Sequence, residues 1–204
     1  MDDLHKALGD ISNIRLQMAR TTEFRGYGPA TLATTGLIAI AAACIQAYWL
    51  PDPATNHSAY LYIWIATAIL SAALIGMQTV TRAHRMHSGM ADEMIRMAVE
   101  QFLSSAGAGA LLTLVLFKSV PSALWMLPGL WQIIFSLGIF SSCRFLPRRM
   151  NLAGAWYLLT GLTCIGLADN RALSPWTMGI SFGAGQLLVA AILFFAAREN
   201  HDYA

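Results

Sequence analysis

The stretch Gln101-Phe-Leu-Ser-Ser-Ala-Gly-Ala-Gly-Ala-Leu-Leu-Thr-Leu-Val-Leu-Phe117 carries no Asp, Glu, Lys or Arg, but it is short and holds Ser104, Ser105, Gly107 and Gly109 in its first half. Whether it crosses a bilayer decides the fold, because every later loop changes sides if it does not. A helix needs roughly 20 mostly apolar residues to cross about 30 Å of hydrocarbon. Five further charge-free stretches meet or approach that length: 26–51, 53–81, 119–143, 150–168 and 172–197.

Charge tests the short stretch. If all six cross, Lys6, Arg15, Arg20, Arg25, Arg82, Arg85, Arg96, Arg144, Arg148, Arg149 and Arg198 share one side, against Lys118 and Arg171 on the other, a ratio of 11 to 2. If 101–117 fails to cross, the ratio falls to 9 to 4. The excess of cations on cytoplasmic loops therefore favours six spans with both termini in the cytoplasm. The spans are expected at about 29–50, 60–81, 103–117, 122–142, 152–168 and 175–197, with a helical inner loop at 82–102 and a cytoplasmic tail at 198–204.

Composition points the same way. Of 204 residues 56% are hydrophobic and 12% charged, with a mean hydropathy of +0.53. Soluble domains carry about 25% charged residues, so a solvated globular enzyme is excluded. The expected class is an all-α, polytopic integral membrane protein of the cell inner (plasma) membrane. Tyr48, Trp49, Tyr60, Tyr62, Trp64, Trp125 and Trp176 fall near the expected outer interface, where amphipathic rings are favoured. For Trp64 and Trp125, packing between helices is the competing reading.

Residues 1–25 are expected to form a cytoplasmic amphipathic helix. Leu4, Ala7, Ile11, Ile14 and Met18 recur at 3,4 spacing, while Asp2 and Asp3 complement the helix dipole. An apolar core and a small-residue cleavage site, the marks of a signal peptide, are missing. The helix lies on the inner leaflet or, through Ile11 and Ile14, docks a partner. The inner loop offers a second docking face: after the break at Ser88 and Gly89, Met90, Met94 and Met97 line one side of a helix. Methionine faces adapt to irregular partners. In the same segment His84 and His87 share a helix face at i,i+3, with Asp92 or Glu93 able to fold back as a divalent-ion site.

The interior of the expected bundle is uncharged. Cys44, Cys143 and Cys164 lack any paired spacing, so no disulfide framework or thiolate metal site is expected. With no histidine at mid-span, a haem held by transmembrane histidines is excluded, and no cofactor is expected. Proton relays and ion paths use ionisable side chains at mid-span, and none is present. Gln46, Gln78, Gln132 and Gln186 are expected to make interhelical hydrogen bonds. Gly179 and Gly183 form a GxxxG pair, Gly185 follows on a neighbouring face, and Ser105 with Gly109 repeats the spacing. Small residues at this spacing let helices approach closely, within the chain or in a homo-oligomer. Nucleophile-elbow, nucleotide-loop and zinc-protease signatures are absent, so no catalytic residue is expected.

The order of amphipathic helix, six spans and helical first inner loop is similar to the layout of small ABC-2-type transporter membrane subunits, a likeness of topology without a diagnostic motif. That layout implies a transport subunit, here for an apolar or neutral solute. The residues themselves favour a non-enzymatic regulatory, sensory or partner-docking protein, surrounded by lipid and working through its cytoplasmic face. No nucleic-acid partner is expected.

Overall fold

The computed structural model describes residues 28–85, 89–143, 149–166 and 168–202, with the side chains of 82–85, 89–102, 170 and 199–202 outside the description. The described residues form six α-helices, two short 3-10 helices (Pro121–Met126 and Asn170–Leu173) and no strand; the α-helices are α1 (Pro29–Trp49), α2 (His57–Arg85), α3 (Gly89–Ser119), α4 (Leu127–Ser142), α5 (Met150–Gly166) and α6 (Pro175–Asp202). Prolines set several boundaries. Pro29 and Pro175 open α1 and α6 at a position where the missing N–H costs nothing. Pro128 cannot donate to Leu124, so 121–126 winds as a 3-10 turn before α4 begins. The α2 start is fixed by Asn56, whose Oδ1 accepts the Ala59 N–H at 3.1 Å.

Neighbouring helices run antiparallel and each packs on the next, with α6 returning to α1. The closest pairs are α1 with α6 and α4 with α5. Both are glycine seams. A Cβ on Gly183 would lie 2.7 Å from Ile40 Cγ1, and one on Gly179 would lie 2.5 Å from Ala43 Cβ. Gly129 and Gly161 bring backbone to backbone: a Cβ on Gly161 would lie 2.8 Å from the Gly129 carbonyl.

Two apolar clusters lie toward opposite ends. Tyr60, Trp64, Leu124, Leu127 and Leu173 close the end that carries the loops 50–56, 120–126 and 168–174. Leu32, Met150, Ala153, Val189 and Ile192 close the other. The exterior is apolar as well: Leu37, Ile69, Leu111, Leu137, Leu159, Ile180 and Phe194 are all exposed, while Gln46, Gln132 and Ser136 are fully buried. Water would penalise such a surface.

Four stretches are long and apolar enough to cross a membrane: Pro29–Trp49, His57–Thr81, Pro121–Ser142 and Pro175–Arg198. Helix length and composition therefore carry four of the six expected spans. Leu103–Ser119 is a shorter apolar segment, and α5 has 17 residues. The helix expected after the Ser88–Gly89 break and the third expected span lie on one element, since α3 starts at Gly89 and runs unbroken for 31 residues. Ser105, Gly107 and Gly109 alternate with Ala106, Ala108 and Ala110, whose helix propensity outweighs the glycine penalty.

Candidate functional site

Three indole N–H groups each tie one helix to its neighbour. Trp64 Nε1 donates to Gln46 Oε1 at 2.7 Å (α2 to α1), Trp131 Nε1 to Thr113 Oγ1 at 2.9 Å (α4 to α3), and Trp156 Nε1 to the Ser181 carbonyl at 2.9 Å (α5 to α6). Gln46 also donates through Nε2 to the Leu173 carbonyl at 2.8 Å, so this fully buried amide joins α1, α2 and the turn before α6. Trp64 is thus an interhelical residue rather than an interfacial one. Gln78 caps α1, its Oε1 accepting the Gly28 N–H at 2.9 Å.

The other two glutamines behave differently. Gln132 and Ser136 stand one turn apart on the buried face of α4. The antiparallel register of α4 and α5 sets Phe135 against Tyr157, with ring centroids 4.8 Å apart at 73°. Phe182 of α6 completes the cluster at 5.2 Å from Tyr157 and 5.5 Å from Phe135. The Tyr157 phenol is pressed against Gly185, where a Cβ would lie 2.5 Å from its hydroxyl oxygen. It lies beside the Gln186 side chain, and neither its hydroxyl nor Gln186 Oε1 has a hydrogen-bond partner of good geometry. Gln132 Nε2 reaches the Thr177 carbonyl at 3.5 Å and Met178 Sδ at 3.8 Å, both long contacts.

The result is a belt in which Gln132 Oε1, Ser136 Oγ, Tyr157 OH and Gln186 Oε1 are buried with no hydrogen-bond partner. Each unmet buried group costs about 1–3 kcal/mol. No charge lies among them: the described side chains of Asp52, His57, Lys118, Arg149, Asp169, Arg171 and Arg198 all sit in loops or at helix ends. The belt's chemistry is hydrogen bonding between neutral groups, without an acid, base or nucleophile set for catalysis.

Of the small residues singled out from the sequence, those of the spaced pairs pack within the chain, whereas a Cβ on Gly107 would meet nothing within 4 Å. Gly179 and Gly183 face α1, Gly185 faces Tyr157, Ser105 meets Gly138 of α4, and Gly109 lies 3.9 Å from Trp131 measured from an added Cβ. His84 lies near the end of α2, and Met90, Glu93, Met94 and Met97 lie in the first part of α3, but their side chains are outside the described residues, as are Ile11, Ile14 and His87 altogether. Among the described residues no three His, Cys, Asp or Glu side chains come together to hold a metal, and the three cysteines are free. Ser136 and Tyr157 were not evident from sequence. The Gln132–Ser136 spacing of four, which places two polar groups on one face of an apolar helix, is the signal that points to the first.

The chain matches no family model, no curated protein and no solved structure.

Proposed function

We propose that this protein is a six-span component of the cell inner membrane, with both termini cytoplasmic, that senses within its bundle and signals through a cytoplasmic partner. The observation that carries the reading is the neutral belt of Gln132, Ser136, Tyr157 and Gln186, whose oxygens are buried and incomplete. Such an interior suits reversible holding of an uncharged molecule and does not suit ion conduction or bond-making chemistry. Apolar clusters toward both ends of the bundle favour a sensor over an open pore.

The six-span reading draws support from two further features. The 31 residues of α3 extend ~46 Å at the usual helical rise, so its apolar half can cross while its charged half stays in the headgroup layer. The 17 residues of α5 stand at the short limit of about 17–25 for a span. Cations concentrate on the side this topology assigns to the cytoplasm.

The test is affinity purification from the native membrane in mild detergent, with mass spectrometry of the co-purifying species. A stoichiometric soluble partner is expected, lost in Met94→Asp while the protein still elutes as a single folded species. If no partner is recovered, or if it survives Met94→Asp, the Met-lined docking face is wrong. The neutral belt also fits a carrier of neutral solutes, and flux of such solutes into liposomes containing the purified protein would replace the sensory reading with that one.

A further inference from the structure

The belt selects a class of molecule. Two of its free groups are amide carbonyls, Gln132 Oε1 and Gln186 Oε1, and two are hydroxyls, Ser136 Oγ and Tyr157 OH. Carbonyl oxygens only accept, so a guest that completes them must donate a hydrogen bond, and a hydroxyl guest can also receive one from Ser136 or Tyr157. With no counter-charge among the described side chains around the belt, a charged guest would be buried unpaired. The walls are the rings of Phe135, Phe182 and Tyr157, which suit an apolar body. Apolar clusters lie beyond the belt at either end, so a guest that dissolves in lipid and enters between helices has the easier path.

We infer that the belt binds a lipid-soluble alcohol. Its hydroxyl donates to the Gln132 or Gln186 carbonyl and accepts from Ser136 or Tyr157, and its chain lies against Phe135 and Phe182. The inference deepens the sensory reading and rests on it for its purpose. The binding step needs no partner and is measured without one.

The full-length protein in phosphatidylcholine–phosphatidylglycerol liposomes is photolabelled with an octanol carrying a diazirine, and the labelled peptides are mapped by mass spectrometry. Label is expected on the α4, α5 and α6 segments that form the belt, displaced by octanol and not by octane. Ser136→Ala and Tyr157→Phe each remove one hydroxyl while keeping the shape of the side chain, and each is expected to lower labelling about five-fold, the worth of one hydrogen bond. Label confined to outward positions such as Leu137 and Leu162, displacement by octane equal to that by octanol, or unchanged labelling in both variants overturns the inference and assigns the belt to ordered water. A labelled belt in a protein that recovers no partner keeps this inference and ends the sensory reading. A partner recovered with an unlabelled belt does the reverse.

Discussion

Helix α6 takes part in two seams of opposite character. Toward α1 it presents Gly179 and Gly183 to Ala43 and Ile40, and the polar groups along that seam are paired: Gln46 bonds Trp64 and the Leu173 carbonyl, and Thr35 Oγ1 donates to the Leu32 carbonyl at 2.8 Å. Gln186, whose Cβ packs on Gly36 of α1, turns its amide to Tyr157 of α5, where four buried oxygens lack partners. Tyr60 OH, at the loop end of α2, is the fifth buried oxygen without a partner among the described residues, so four of the five gather where α4, α5 and α6 meet. Close packing around the paired amide of Gln46 marks the part that holds the bundle together. Close packing with incomplete pairing marks the part that waits for something.

The largest effect is expected where packing is tightest. Gly161 meets the Gly129 carbonyl and the Gln132 Cβ, so Gly161→Val forces α4 and α5 apart and should cost about 3 kcal/mol or more, because backbone cannot yield as a side chain can. Gly183→Val on the other seam meets the Ile40 side chain first, with the Gly36 carbonyl at an ordinary 3.5 Å, and should cost less. Thermal midpoints in detergent micelles, read as the fraction surviving in size-exclusion chromatography, rank the two. Equal tolerance of both valines would contradict the packing of α4 on α5.

The same substitution should have opposite signs in the two regions. Gln46→Leu strips partners from the Trp64 N–H and the Leu173 carbonyl and should destabilise by about 2 kcal/mol. Gln132→Leu removes an amide whose carbonyl has no partner and whose N–H contacts are long, so it should be neutral or stabilise by about 1 kcal/mol. The midpoints of the two leucine variants decide it: if Gln132→Leu falls as far as Gln46→Leu, the belt is as fully paired as the seam and the contrast disappears.

The sequence made parts of this visible and hid others for physical reasons. Runs free of charge locate the apolar helices, and Pro29 and Pro175 announce two of their starts, because both signals are local. What Gly179 and Gly183 pack against is not local, since α1 and a second copy of the chain satisfy a small-residue face equally well. Ser136 looks like any helix serine until Tyr157 and Phe182 are brought to its level by the α4/α5 and α4/α6 registers. The start of α3 at Gly89 follows the break that Ser88 and Gly89 announce, another local signal.

The smallest effect lies outside both seams, in the turn before α6, and it separates ordinary electrostatics from the belt. Asp169 Oδ1 accepts the Arg171 backbone N–H at 2.8 Å and Oδ2 takes Arg171 Nε at 2.7 Å. The backbone N–H chiefly, then the guanidinium, hold its carboxyl below the ordinary carboxylate value. A carboxylate depressed in the folded state stabilises it above the unfolded pKa of about 3.9. That contribution is lost as pH falls through the lower folded value. The pair is exposed, so the loss is modest. Thermal midpoints should therefore stay level from neutral pH to about 5, with the wild type then falling slightly more than Asp169→Asn on further acidification. The belt has no carboxylate, amine or imidazole, so alcohol binding should not change over the same range. Superimposable profiles for wild type and Asp169→Asn would mean that the Arg171 contacts do not hold the turn, whereas acid-sensitive binding would mean that a charged group reaches the belt after all.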